Sequence, residues 1–159
     1  MNIFVLSEDP VQAAQWQCDK HVVKMILESA QMLSSAVFRH GGECIYKPTH
    51  KHHPCTVWAG DTHENWSWLY KHFVALSLEY EARYKKQHLS YKKMTEWLIM
   101  DGANEAKDIF PSGTLTPFAQ AMPDQYKQED PVQAYRSYYI AEKAKFATWK
   151  CNKPEWWPY

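Results

Sequence analysis

The sequence predicts a mainly α protein: a compact single-domain helical fold over residues 1–159, with four to five helices and long irregular connections. Three observations predict this class. Apolar residues recur every three to four positions over long stretches, which is the period of an α-helix. Asp-Pro pairs, which typically begin helices, occur twice in the same hexapeptide, EDPVQA. With 45 % hydrophobic residues in 159, the chain can form one core.

The first elements are predicted from local signals. The apolar run at residues 3–6 is either a strand or a buried N-terminal arm. Asp9 caps a short first helix that runs to about residue 17, with Pro10 in its first turn. Asp19 can cap the second helix, which ends at the Gly41-Gly42 pair.

The later elements alternate between helices and loops. Residues 43–54 form a basic loop, and a third helix begins near residue 61 and ends near residue 86. A fourth helix covers about residues 91–100, followed by an irregular stretch to residue 124. The last helix starts at Asp130-Pro131 and runs to about residue 150, and an aromatic tail at residues 153–159 docks onto the body.

One polar row on the second helix is the first candidate site. Five polar residues fall at helical spacing on one face, opposite an apolar face, which places a lysine and a carboxylate one turn apart. Such a row suits acid–base or amine chemistry, with Glu28 the better acid–base candidate. The alternative interpretation is a solvated face with an i,i+4 ion pair. The row consists of His21, Lys24, Glu28, Gln31 and Ser35.

Two other groups could carry chemistry. The loop residues His50, His52, His53 and Cys55 are metal-capable, although their spacing matches no standard zinc site. Arg136 on the last helix could hold a phosphate beside a stacked base, although an ordinary exposed amphipathic helix is the favoured explanation.

Composition limits the class of partner. The 18 basic residues balance the 18 acidic ones, so no global field steers the chain to nucleic acid, although clustered basic residues permit phosphate binding. No phosphate-binding or dinucleotide-binding glycine motif occurs, and we expect no cofactor. The sequence shows no signal peptide or membrane-spanning run, so we expect a monomeric cytoplasmic protein without membrane contact.

Three blocks in the chain resemble the pyrimidine-dimer DNA glycosylases of the endonuclease V type, a family of bacteriophage and bacterial enzymes. An Asp is followed by Lys five, Glu nine and Gln twelve residues on, a His-Pro pair is followed by Trp, and the chain closes on Lys-Pro-Glu-Trp-Trp. These blocks are Asp19, Lys24, Glu28 and Gln31; His53, Pro54 and Trp58; and residues 153–157.

The resemblance implies a mainly helical enzyme, in the cytoplasm of a bacterium or a phage-infected host, that acts on DNA. It implies an amine that attacks the sugar C1′ of a damaged nucleotide to form an imine, followed by elimination that cuts the strand. The helix glutamate, here Glu28, would stabilise the sugar cation and move protons. Since Asn2 is large, Met1 is expected to stay, and its α-amine would be the nucleophile; ordinary α-amines have a pKa of about 8.

The leading hypothesis is therefore a DNA glycosylase with AP-lyase activity on damaged or modified pyrimidines, on duplex or single-stranded DNA. Its amine is that of Met1 or Lys24, and His21 is a further catalytic candidate. The candidate substrate-binding residues are Asp19, Lys20, Gln31, His53, Trp58 and Arg136. The alternatives are a non-catalytic helical module that binds nucleic acid or a nucleotide, and a metal-dependent enzyme built on the loop from His50 to Cys55.

Overall fold

The computed structural model describes residues 1–159, except that the side chains of residues 101, 103 and 105 are not described. Over the described residues the fold is all α and contains no strand, which confirms the predicted class. Seven α-helices, two more than the predicted maximum, are joined by a π-helical turn at Leu98–Gly102 and a short 3-10 helix at Asp124–Tyr126. They are α1 Pro10–Gln15, α2 Asp19–Arg39, α3 Pro54–Asp61, α4 His63–Tyr84, α5 Leu89–Trp97, α6 Ala103–Asp108 and α7 Pro131–Lys143.

The repeated hexapeptide is a helix start used twice. Asp9 accepts a hydrogen bond from the backbone N–H of Val11, and Asp130 accepts one from that of Val132. Proline occupies the first helical turn in both cases, where a missing N–H costs nothing. The two copies are therefore the same local capping chemistry and not a repeated domain.

Several predicted boundaries were wrong. Asp19 is the first residue of α2 and does not cap it, because its carboxylate accepts hydrogen bonds from Arg83 Nη1, Thr148 Oγ1 and the Lys150 N–H. Helix α7 ends at Lys143 and not near residue 150, because the chain folds back there and the Thr148 carbonyl accepts from the Asp19 N–H at 2.8 Å.

Helices α3 and α6 were missed as separate elements. Helix α3 has eight residues, and most of its sides are covered, so its apolar residues do not follow the one-sided pattern that marks a longer helix. Helix α6 has six residues, directly follows the π-helical turn and lies in the stretch where the fourth helix was expected to stop.

The long helices α2 and α4 pack against each other, and α4 also contacts α1 and α3. Residues 3–6 are a buried arm that runs into this core, which decides between the two predictions for them. The amide of Gln17 donates to the Ile3 carbonyl at 2.9 Å and so holds the arm in place. The tail docks as predicted, since Trp157 is buried and contacts Tyr139.

In the part of the chain that the structure describes, no helix has the length and apolarity needed to cross a bilayer.

Candidate active site

The polar row of α2 is mostly covered by the rest of the protein. His21 and Ser35 are buried, Gln31 is half-buried, and the Glu28 side chain is only 13 % exposed. Lys24 alone is open to solvent, with 64 % of its side chain exposed. The row is therefore not the solvated helix face that was the alternative interpretation.

Glu28 lies between two amines. Its Oε2 is 3.9 Å from the α-amine nitrogen of Met1 and accepts a hydrogen bond from the Asn2 N–H at 3.2 Å. Its Oε1 is 3.7 Å from Nζ of Lys24. The fold thus brings an α-amine, a lysine and a mostly buried carboxylate together, from sequence positions up to 27 residues apart. We call Met1, Lys24, Glu28 and His53 the amine cluster.

The Met1 side chain is buried, whereas its backbone is partly exposed. Its side chain is 2 % exposed and packs against the core, but the residue as a whole is only half-buried. The exposed part of Met1 is therefore its backbone end. An amine held there can meet a substrate without the arm having to leave the core.

His53, the N-cap residue of α3, lies near enough to the Met1 amine and to Glu28 for both charges to act on it. Its Nδ1 accepts from the Cys55 N–H at 3.1 Å, so the neutral ring carries its proton on Nε2. Burial lowers the pKa of His53, and the positive charge of the N-terminal amine lowers it further, although Glu28 opposes this. The neutral imidazole can therefore donate from Nε2 to a ligand.

His21 lies on the same helix face but in a different environment. Its ring stacks on Phe4 with centroids 4.3 Å apart, and its Nδ1 is 2.8 Å from the Tyr139 hydroxyl. Burial, aided by the charges of Lys143, Lys24 and Lys20, lowers the pKa of His21 to about 3. The side chain is thus a neutral, packed ring whose hydrogen bond is to Tyr139 and not to Glu28.

Three of the predicted substrate-binding residues are engaged in contacts within the protein. Asp19 forms an ion pair with Arg83, whose side chain is fully buried. Trp58 is buried and donates to the Thr116 carbonyl at 3.2 Å. Arg136 donates from Nε to the Leu6 carbonyl at 2.9 Å. All three residues therefore form contacts that stabilise the fold.

Lysines and aromatic rings surround the N-terminal half of α2. Nζ of Lys20 lies 4.7 Å from the centre of the Phe146 ring, and Nζ of Lys143 lies 5.0 Å from that of Tyr138. With Lys24, these lysines are the cations that depress the pKa of His21, so all three stand near it. We call Lys20, Lys24 and Lys143 the lysine group. Lysines beside aromatic rings suit a nucleic-acid backbone and its bases.

The loop that was a candidate metal site does not gather its donors. Among the described residues, no three His, Cys, Asp or Glu side chains are placed to hold a metal ion. His50 Nδ1 is 2.9 Å from the Thr49 hydroxyl, and His53 caps α3. Burial raises the pKa of Cys55 to about 11, which keeps the thiol neutral and a poor ligand.

The sequence interpretation missed two residues next to the amine cluster, Asn2 and Tyr135. The Asn2 amide donates to the Ala121 carbonyl at 2.8 Å, and the Ala121 N–H donates to the Tyr135 hydroxyl at 3.1 Å. Tyr135 lies on the last helix, next to Arg136 in the sequence. No local signal could have joined it to Asn2, since 133 positions separate the two.

Comparison with known proteins gives one family match. A family model described as pyrimidine dimer DNA glycosylase matches residues 1–92, which contain α1 to α4 and all four members of the amine cluster. No curated protein and no solved structure gives a significant match.

Proposed function

The chain belongs to the pyrimidine dimer DNA glycosylase family, which acts on DNA, and from this premise we propose that it removes a damaged or modified pyrimidine and then cuts the strand at the abasic sugar. In this proposal the α-amine of Met1 is the nucleophile, and Glu28 is the acid–base and electrostatic group. The observation that carries it is the approach of Met1 N to Glu28 Oε2 at 3.9 Å, at the end of Met1 that is not buried with its side chain.

The reaction balances with the groups present. The neutral amine attacks C1′ as the bond from C1′ to the base breaks, and the base leaves with the electron pair and a proton. The sugar ring opens, and an imine forms between C1′ and the amine nitrogen. Loss of the C2′ proton then expels the 3′ phosphate, which cuts the strand, and water releases the sugar from the amine.

Glu28 suits two tasks in this sequence. As a carboxylate it stabilises the positive charge that develops on the sugar when the base leaves. As a base it takes the proton that the attacking amine loses, since its Oε2 already lies beside that nitrogen. Its low exposure strengthens both effects, because the surrounding protein screens charge less than water does.

Lys24 and His53 fit supporting roles. Lysine side chains have an ordinary pKa of about 10.4, against about 8 for an α-amine, so a lysine is the poorer nucleophile near neutral pH. The exposed Lys24 side chain is instead suited to a phosphate contact. His53 can donate from Nε2 to a sugar or phosphate oxygen. We therefore assign the amine chemistry to Met1 and substrate contacts to Lys24 and His53, together with Lys20 and Gln31 on α2.

Borohydride trapping tests the proposal, because borohydride reduces an imine to a stable amine. We expect the wild-type protein to trap on an abasic-site duplex and peptide mapping to find the adduct on the N-terminal amine. Intact mass identifies the terminal residue; if Met1 is removed in the cell, the amine becomes that of Asn2, whose nitrogen lies 3.2 Å from the same Glu28 oxygen. Lys24→Gln should still trap.

The variant Glu28→Gln should trap about a hundredfold more slowly while it still binds DNA, because it loses general acid–base catalysis. Glu64→Gln, an exposed acid at the start of α4, is the matched control and should behave like the wild type. An adduct on Lys24 would contradict the choice of amine. The absence of any adduct on abasic, dimer-containing and single-stranded DNA would remove the whole mechanism.

A further inference from the structure

Tyr135 on α7 is a buried tyrosine whose hydroxyl forms two hydrogen bonds to a loop and also lies 3.9 Å from Cys55 Sγ on α3. The hydroxyl donates to the Ala119 carbonyl at 2.6 Å and accepts from the Ala121 N–H at 3.1 Å. Burial raises the pKa of Tyr135 well above its usual value, so the hydroxyl keeps the proton that it donates. Two hydrogen bonds to one short segment fix where the carbonyl of Ala121 points.

Asn2 extends this chain of hydrogen bonds to the amine cluster. Its Nδ2 donates to the Ala121 carbonyl at 2.8 Å, while its Oδ1 accepts from the N–H groups of Ile3 and Phe4 at 2.8 and 3.1 Å. Its own N–H donates to Glu28 Oε2 at 3.2 Å. Both polar groups of the Asn2 side chain and its backbone N–H therefore form hydrogen bonds. These bonds fix the orientation of Asn2, the residue to which Met1 is joined.

We propose that Tyr135 and Asn2 are positioning residues that hold the Met1 amine against Glu28, an inference that rests on the proposed function. The N-terminal arm is neither helix nor strand, so no regular hydrogen bonding fixes its first residue. The series of hydrogen bonds from Tyr135 through Ala121 to Asn2 fixes the position of the arm instead. A displacement of about 1 Å in a reacting group can lower the rate about a hundredfold, so the reaction rate depends on how firmly the Met1 amine is positioned.

Tyr139 offers a matched control on the same helix. It is equally buried, and its hydroxyl also has two partners, the Cys18 N–H at 3.0 Å and His21 Nδ1 at 2.8 Å. Neither partner belongs to the amine cluster. The variants Tyr135→Phe and Tyr139→Phe therefore each lose one buried hydroxyl with two hydrogen bonds of 3.1 Å or less, and the Tyr135 hydroxyl also lies 3.9 Å from Cys55 Sγ on α3. The two hydroxyls differ in the segments that they bind.

The first measurement is the single-turnover rate of trapping on an abasic-site duplex, with the Kd for the same duplex measured alongside. We expect Tyr135→Phe to trap about ten- to a hundredfold more slowly with its Kd within about twofold of the wild type. Tyr139→Phe should keep the wild-type rate once corrected for the folded fraction. Asn2→Leu, which leaves the core tyrosine intact and also retains Met1, should reproduce the loss even if Tyr135→Phe folds poorly.

The second measurement does not depend on activity. Reductive methylation with ¹³C-formaldehyde labels the N-terminal amine, and its NMR signal reports whether that amine is held in one environment. We expect one displaced signal in the wild type and Tyr139→Phe, and a signal at the position of a free amine in Tyr135→Phe and Asn2→Leu.

The outcomes separate the two proposals. In one outcome the wild type forms no trapped adduct, yet the NMR signal of the amine moves to the position of a free amine in Tyr135→Phe. The proposed chemistry then fails while the positioning role stands. If Tyr135→Phe keeps both the wild-type trapping rate and the wild-type signal, the positioning role is overturned whatever the activity.

Discussion

Glu28 and His21 lie two turns apart on one face of α2, yet the fold gives them different chemistry. Glu28 faces two amines across 3.7–3.9 Å. His21 is stacked on Phe4 with a pKa lowered to about 3, so it takes up no proton near neutral pH. Helical spacing in the sequence predicted both residues as site candidates. Whether each can accept and donate protons depends on the groups packed against it.

His72 supports a prediction at this scale. It is fully buried, its Nδ1 donates to the Pro10 carbonyl at 3.0 Å, and its pKa is lowered to about 4, chiefly by burial. Between pH 6.5 and 4 the unfolded chain binds a proton at His72 that the folded protein does not. The free energy of unfolding should therefore fall as the pH falls through this window, by up to about 1.4 kcal/mol per pH unit from this residue.

Urea unfolding at several pH values measures this slope. In His72→Gln the slope between pH 6 and 4.5 should be smaller by up to that amount, although the variant is less stable at every pH. Equal slopes in the wild type and the variant would show that His72 titrates normally in the folded protein.

At the scale of single elements, helix starts follow the sequence more closely than helix ends. The caps at Asp9 and Asp130 are local, because each side chain reaches an N–H two residues ahead. The end of α7 was misplaced because it depends on Asp19, over 100 residues away, which binds the segment that follows the helix.

The cap of α7 can be tested directly. Asp130→Ala should lower the free energy of unfolding by about 1 kcal/mol, because the Val132 N–H loses its partner. Asp130→Asn keeps a side-chain acceptor and should cost much less, as measured by urea unfolding. Equal losses in the two variants would mean that the carboxylate charge, and not the cap, stabilises the helix.

At the scale of the whole molecule, charge is neutral overall but uneven near the site. With 18 acidic and 18 basic residues, attraction to DNA must come from local groups such as the lysine group. We expect a protein with so few local cations to contact few phosphates. Its DNA binding should therefore depend less on salt than that of a basic DNA-binding protein.

The salt dependence of the Kd for a duplex tests this view. Each phosphate contact contributes about −0.9 to the slope of log K against log salt concentration, so Lys143→Gln should make the slope shallower by about that amount. Lys92→Gln, an exposed lysine on α5, is the control and should leave the slope unchanged. A change of equal size in both variants would remove the lysine group as the DNA contact.

The candidate site was only partly predictable from sequence. Lys24 and Glu28 could be paired because a helix brings residues four apart together. Trp58 and Arg136 were selected by type; Trp58 is buried, Arg136 is half-buried, and they donate to the Thr116 and Leu6 carbonyls, so both contribute to the fold. Residue type alone cannot distinguish a ligand contact from a core contact, because the same rings and guanidinium groups serve both.

By itself, the sequence determined the helical class, the two Asp-Pro helix starts, the face of α2 that carries Glu28 and the family resemblance, because each depends on spacing within a short segment. Only the tertiary structure decided that the buried arm brings the Met1 amine to Glu28, that His53 lies within reach of both charges and that hydrogen bonds run from Asn2 through Ala121 to Tyr135. Met1 and Glu28 are 27 positions apart, and Asn2 and Ala121 are 119 positions apart. Such distances are closed by packing of the whole core, which no local pattern records.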